Sequence, residues 1–187
     1  MKAEDVVELY TLLLEHGVQI WIDGGWGVDA LLEQQTRPHK DLDAFVAFED
    51  LPVLTKVLGQ HGFVLKEIWS ENLWRQHNGQ TQLIGRDEQA GEVATAFVLK
   101  DLLGREIDIH VMYVDEYGSP TPGWDCEVSF SPDALQGHGV IAGMRVRCLS
   151  AAMHMRTHTS YELQDKDRAD LQRLEERFDI EYRKDVG

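Results

Sequence analysis

Between Trp21 and Asp43 the chain reads WIDGGWGVDALLEQQTRPHKDLD, a run with a Gly24-Gly25 pair and, about sixteen residues on, Asp41 and Asp43 one residue apart. Backbone amides exposed where a glycine turn opens a helix can hold phosphate oxygens. Two carboxylates on one strand face are hard oxygen ligands suited to Mg²⁺. A third acid, Asp108, lies in REIDIHVMYV, where Glu106, Asp108 and His110 alternate with Ile107, Ile109 and Val111. A carboxylate there can complete a metal shell or take a proton from an attacking hydroxyl. Among apolar neighbours it is expensive without a cation. These parts suit attack of a hydroxyl on the α-phosphorus of a triphosphate, with bound cations polarising the oxygens and neutralising the departing pyrophosphate. Asp-x-Asp alone is a weak motif, common on solvated strand faces. The upstream glycines and Asp108 give it weight.

Hydrophobic periodicity sets out the elements that must position these groups. Val6, Val7, Tyr10, Leu13 and Leu14 predict a helix over about 3–16 with Gly17 as its C-terminal stop. Val18, Ile20 and Ile22 predict a short strand ending at the glycines, and a second helix is expected from Val28 to Gln34. Asp41 to Val46 reads as a strand with Asp41, Asp43 and Phe45 on one face. Leu51, Leu54, Val57 and Leu58 predict a helix, and Phe63 to Ile68 a strand. Up to Glu92 glycine, asparagine, glutamine and charged residues predict a hairpin or a mobile loop, with a strand at Thr81 to Ile84. VATAFVLK and REIDIHVMYV form an antiparallel hairpin around Asp101–Gly104. From Asp115 to Gly139 the chain is rich in proline and glycine, with a small helix expected at Ser131-Pro132. Val140 to Leu149 is a strand broken by a turn at Ala142-Gly143, and helices are expected at Ser150–His158 and Asp165–Phe178. The class is α+β: a mixed sheet with helices on one face and a small C-terminal helical part. The expected division is a core over 1–115 and a strand-and-helix part over 116–187 that completes the acceptor site, the two forming one domain if they pack together.

Eighteen basic against thirty-three acidic side chains give the 187-residue chain a formal charge of −15. Such a surface repels nucleic-acid backbones and anionic lipids and favours a cationic small molecule. The acids within MKAEDVVELYTLLLEHG argue against a signal or transit peptide, and no apolar run reaches membrane-span length, so a cytoplasmic protein is expected. Cys126 and Cys148 have no CxxC spacing and read as structural thiols.

Other candidates have simpler alternatives. Asp23 reads first as a turn cap and second as a contact for a cationic acceptor. Trp26 suits a core position as well as stacking on a base or drug ring. His110 shares the face of Asp108 and is as much an ordinary strand histidine as a partner to that carboxylate. His154 and His158 have zinc-ligand spacing on a helix but no third ligand, so packing is favoured. Tyr161 and Glu162 are candidates for the acceptor site, or else a helix-connecting loop. Asp165, Asp167 and Asp170 suit a helix start.

The run WIDGGWGVDALLEQQTRPHKDLD, with FVLKDLLGREIDIHVM, GVIAGMRVRCLS and HTSYELQDKDRADLQRL, resembles the antibiotic nucleotidyltransferases, in particular the short lincosamide enzymes and their aminoglycoside 2''-nucleotidyltransferase relatives. The resemblance implies a nucleotidyltransferase fold like the palm of polymerase β, a nucleoside triphosphate donor, Mg²⁺ as two ions, and transfer of a nucleoside monophosphate to a drug hydroxyl. By the same resemblance, Gly24 and Gly25 match the phosphate-holding turn, Asp41 and Asp43 the metal ligands, and Asp108 the third carboxylate, serving as metal ligand and general base. Arg37, His39 and Lys40 match basic residues beside the triphosphate. Ala44-Phe45, Val111 and Ser160 depart from the usual isoleucine-aspartate, proline and glycine. A lincosamide acceptor is expected first. Alternatives are an aminoglycoside, or a protein or RNA target as in a toxin–antitoxin pair. A homodimer is compatible with such relatives.

Overall fold

The computed structural model describes residues 1–69, 74–77, 80–83, 95–123, 129–158 and 162–180. The first elements are α1 (Ala3–Glu15), β1 (Ile20–Asp23), α2 (Gly24–Leu32), β2 (Leu42–Ala47), α3 (Leu51–Gln60) and β3 (Val64–Ile68). A separate hairpin, β4 (Trp74–His77) and β5 (Gln80–Leu83), precedes β6 (Ala96–Lys100) and β7 (Glu106–Val114). The chain closes through β8 (Pro120–Pro122), β9 (Gly137–Ile141), β10 (Met144–Cys148), α4 (Ala151–Thr157) and α5 (Asp165–Phe178).

One mixed sheet runs in the order β3-β6-β7-β2-β1-β10-β9, with β8 beside β7. At its centre β2 pairs antiparallel with β1 and parallel with β7. Period-two alternation splits the side chains between faces. Ile20, Ile22, Leu42, Ala44, Val46, Ile107, Ile109 and Val111 join the main core with apolar residues of α1, α2, α3 and α5. Trp21 and Phe45, on the other face, join Met112, Leu135, Leu149 and Met153 in a second cluster, where the Trp21 indole donates to the Leu135 carbonyl at 3.0 Å. This second cluster covers part of the face opposite the main core and leaves the rest open for the acids.

Three boundaries differ from expectation. Helix α2 begins at Gly24, not Val28, because Asp23 is still extended while Gly24 takes φ +57 and turns the chain at once. Glycine's poor helix propensity hides this from a propensity reading. The expected helix at Ser131-Pro132 is a single 3₁₀ turn, Ala134–Gln136. Strand β9 starts at Gly137, inside the stretch that reads as loop, and pairs with β10 across an Ala142-Gly143 turn of positive φ. The glycines that suggest a loop have a packing use: a Cβ on Gly139 would strike the Ala30 backbone, so its absence lets α2 lie against β9. Cys126, Ser160 and Tyr161 lie outside the described residues. No helix among the described residues is long and apolar enough to cross a membrane.

Cys148 is fully buried on β10, and burial, with the charge of Asp23, pushes its thiol up to about 12. In a Cys126→Ser background the native protein should not react with a disulfide thiol reagent at pH 8, and denaturant should release one thiol. Fast labelling of the native protein would contradict this packing.

Candidate active site

The strand registers set three acids side by side. Asp23 on β1 is opposite Asp43 on β2, and Asp43 is opposite Asp108 on β7. All three share the face away from the main core. Asp41 stands one residue before β2 and, with Asp23 and Asp43, lines a cleft of about 640 Å³. Gly24 and Gly25 form the floor, Phe45 and Phe130 an apolar wall, and Lys40 and Lys166 also line it. Asp108 lies one strand beyond Asp43 in the same row.

The electrostatics follow from this crowding. Burial, then the charges of Asp108, Asp23 and Asp41, raise the Asp43 carboxyl well above its ordinary value, with Lys166 acting weakly the other way. Asp108 is also raised by burial, against the pull of His110 and a hydrogen bond from Trp69, with Asp41 and Glu67 adding repulsion. Asp23 behaves differently. Burial works to raise its carboxyl, but His154 beside it and the Gly24 amide outweigh that and hold it below the ordinary value. His154 is fully buried, with Nδ1 3.1 Å from Asp23 Oδ1 but outside hydrogen-bond geometry. Asp23 occupies the N-cap position of α2, where its carboxylate meets the Gly24 amide of the turn but makes no capping bond further into the helix.

The glycine pair has a steric reason. A Cβ on Gly24 would overlap the Asp43 carboxylate, and one on Gly25 would overlap the His39 ring and crowd the Arg37 guanidinium. The basic residues ahead of Asp41 have protein partners of their own. Arg37 donates to Asp170 Oδ2 at 2.8 and 3.1 Å, and His39 meets Asp29 at 2.5 Å. Asp29 also accepts from the Thr36 amide and hydroxyl at 3.0 and 2.6 Å. The segment before β2 is thus tied to both α2 and α5, while Arg37 and His39 still border the cleft. Asp170 is therefore a buried partner of Arg37, and not simply a solvated charge at the start of α5. Trp26 is in the core, 1% exposed, with its ring 4.6 Å from that of His39. His110 borders the cleft, its Nε2 3.5 Å from Asp108 Oδ1. His158 also lines it, with Nδ1 bonded to the His154 carbonyl at 2.7 Å. Glu162 is exposed and is not part of the cleft lining.

Sequence reasoning missed Trp69, Asp29, Lys166 and the role of Glu106. Buried on β7 two residues before Asp108, Glu106 gathers Lys66 at 2.9 Å, Lys100 at 3.0 Å and Lys40 at 3.7 Å. Hydrogen bonds from Lys66 and Lys100 lower its carboxyl to about 2. Nothing in the local pattern announces this cluster, because its three lysines and Glu106 come from four separate stretches of chain.

The donor set fits Mg²⁺: clustered carboxylates whose mutual repulsion a hard cation would relieve. Among the described residues no three His, Cys, Asp or Glu side chains come together as a group able to hold a metal ion by themselves.

The family model for aminoglycoside-2''-adenylyltransferase matches residues 5–174. The chain belongs to this family. It is an antibiotic nucleotidyltransferase enzyme. A lincosamide resistance protein of Staphylococcus haemolyticus is 24% identical over 191 aligned residues, covering 93% of this chain and 98% of the relative. The fold is also that of two solved structures. The lincosamide antibiotic adenylyltransferase LnuA with lincomycin bound superposes with a TM-score of 0.70 at 21% identity, over 92% of this chain and 95% of that one. ANT(2'')-Ia in complex with adenylyl-2''-tobramycin gives 0.69 at 18%, over 93% and 87%. The family assignment agrees with the nucleotidyltransferase fold expected from the motifs.

Two outcomes test this geometry. Gly24→Ala should fold yet lose activity by about 100-fold or more, since the added methyl must displace Asp43; kcat near wild type would contradict the close approach. Glu106→Gln tests the lysine cluster. The folded carboxyl, at about 2, lies below its ordinary 4.5, so its stabilisation is present above pH 4.5 and fades as pH falls through 2. The Tm gap between wild type and Glu106→Gln should therefore be widest near neutral pH and close in acid. A gap that is constant with pH would contradict it.

Proposed function

We propose that this enzyme transfers a nucleoside monophosphate from a nucleoside triphosphate to a hydroxyl of a lincosamide antibiotic, with Mg²⁺ held by Asp41 and Asp43 and approached by Asp108. The observation that carries this reading is the row of Asp23, Asp43 and Asp108 beside Asp41 at the mouth of α2. When bound, Mg²⁺ would polarise the α-phosphate oxygens and neutralise the leaving pyrophosphate. Gly24 and Gly25, lining the cleft at the α2 N-terminus, would offer the phosphates a close backbone approach, and Lys40 and Lys166 add positive charge there. Asp108 takes the acceptor's proton as its oxygen attacks the α-phosphorus in line. A base of this kind contributes roughly 10² to 10⁴, and placement the larger share.

The cleft wall favours a lincosamide over a polycation. Phe130, half-buried at the cleft and backed by the buried Phe45 ring 5.4 Å away, offers apolar surface to an amphiphilic drug. Two of the cleft acids are already engaged: Asp170 by Arg37 and Arg173, and Asp167 by the Gln164 amide at 2.9 Å. The similarity to a lincosamide resistance protein over 93% of the chain supports the same choice. An aminoglycoside is the second reading, supported by the matched family and the −15 charge.

A pyrophosphate-release assay with Mg²⁺, each ribonucleoside triphosphate, and lincomycin, clindamycin, tobramycin or kanamycin separates the two when product masses are read. Lincosamide products that are one nucleotide heavier are expected. Products from the aminoglycosides alone would select the second reading. Asp41→Asn and Asp43→Asn should each lower kcat by at least about 10²- to 10³-fold. Near wild-type turnover in either would overturn the metal assignment.

A further inference from the structure

We propose that Trp69 is a positioning residue for Asp108: its indole N–H fixes one carboxylate oxygen and so presents the other to the acceptor hydroxyl. This rests on the reading of Asp108 as proton acceptor given above. Trp69 follows β3 and keeps the ladder going for one more residue, donating its backbone N–H to the Ala96 carbonyl at 3.1 Å. Ala96 is in turn paired with His110 on β7. Two strand spacings, about 10 Å, separate β3 from β7. A short polar side chain on β3 could not cross that gap, whereas an indole can, and the small Ala96 side chain beneath leaves room for it. The Trp69 Nε1–H donates to Asp108 Oδ1 at 2.7 Å.

The bond selects an orientation. A carboxylate turns easily about its last torsion, which has a broad, nearly two-fold profile. Both neighbours engage the same atom, Trp69 at 2.7 Å and His110 Nε2 at 3.5 Å from Oδ1, and Oδ2 has no partner among the described residues. Oδ2 is then the oxygen that receives the proton while the acceptor's O–P bond forms and the bond to pyrophosphate breaks. Trp69 touches neither the reacting oxygen nor the phosphorus and acts through Asp108.

The test is a double-mutant cycle on the full chain with Trp69→Phe, Asp108→Asn and both together. It uses the drug accepted in the panel above, long incubations and product mass for the slow variants. Alongside it, a ¹⁵N spectrum of wild type and Asp108→Asn follows the Trp69 indole N–H, assigned by its loss in Trp69→Phe. Expected are a fall in kcat of about 10- to 100-fold for Trp69→Phe, KM for drug and nucleotide within about twofold, and a double variant no slower than Asp108→Asn alone. The indole N–H should move in Asp108→Asn. Trp69→Phe lowering Asp108→Asn by the same factor as wild type, raising the drug KM at unchanged kcat, or an indole resonance unmoved in Asp108→Asn would each overturn the proposal alone. Near wild-type turnover by Asp108→Asn would overturn the reading of Asp108 and the proposal with it, even if the resonance moved.

Discussion

Like charge held at close quarters is the constraint on which this molecule turns. Three neighbouring strands each deliver an aspartate to the same height of the same face, and a fourth stands just ahead of the middle one. In water such carboxylates would separate; here β-pairing forbids it, and burial with mutual repulsion drives Asp43 and Asp108 toward protonation. On the function proposed above, a divalent cation arriving with a polyphosphate would relieve this concentration of negative charge.

The surroundings are arranged to sustain that concentration. Isoleucine, leucine, alanine and valine side chains pack the opposite face against α1, α2 and α3, so the sheet cannot relax under its acids. Helix α2 starts at the residue after Asp23, and only glycine at position 24 lets its backbone come so close to Asp43. The ties from Asp29 to His39 and from Asp170 to Arg37 then pin the segment leading into β2. On the far side, Glu106 collects three lysines and places positive charge beside the negative row. The two outer acids of the row differ in support: His154 flanks Asp23, and Trp69 and His110 flank Asp108.

Much of this was legible in the sequence because it is local. Alternation along IDIHV separates Asp108 from Ile107 and Ile109, and the strand of Asp41–Val46 shows Asp43 and Phe45 on one side; both patterns appear in the fold. What was not legible depends on distant partners. No local signal tells that His39 meets Asp29, that Arg37 meets Asp170, or that Trp69 reaches across β6, since each contact exists only after strands or helices are placed. The start of α2 and the extent of β9 were misjudged for a common reason: glycine suggests a turn, while at Gly24 and Gly139 it answers close approach of a neighbouring group.

The central claim is that the aspartate row binds a divalent cation together with a nucleotide. Calorimetric titration of a non-hydrolysable ATP analogue into wild type and Asp43→Asn, each with and without Mg²⁺, tests it most directly. Binding by the wild type that strengthens with Mg²⁺, and loss of that strengthening in Asp43→Asn at a Tm no lower than wild type, is the predicted result. Equal Mg²⁺ dependence in the two proteins, or nucleotide binding by the wild type that Mg²⁺ does not affect, would contradict it.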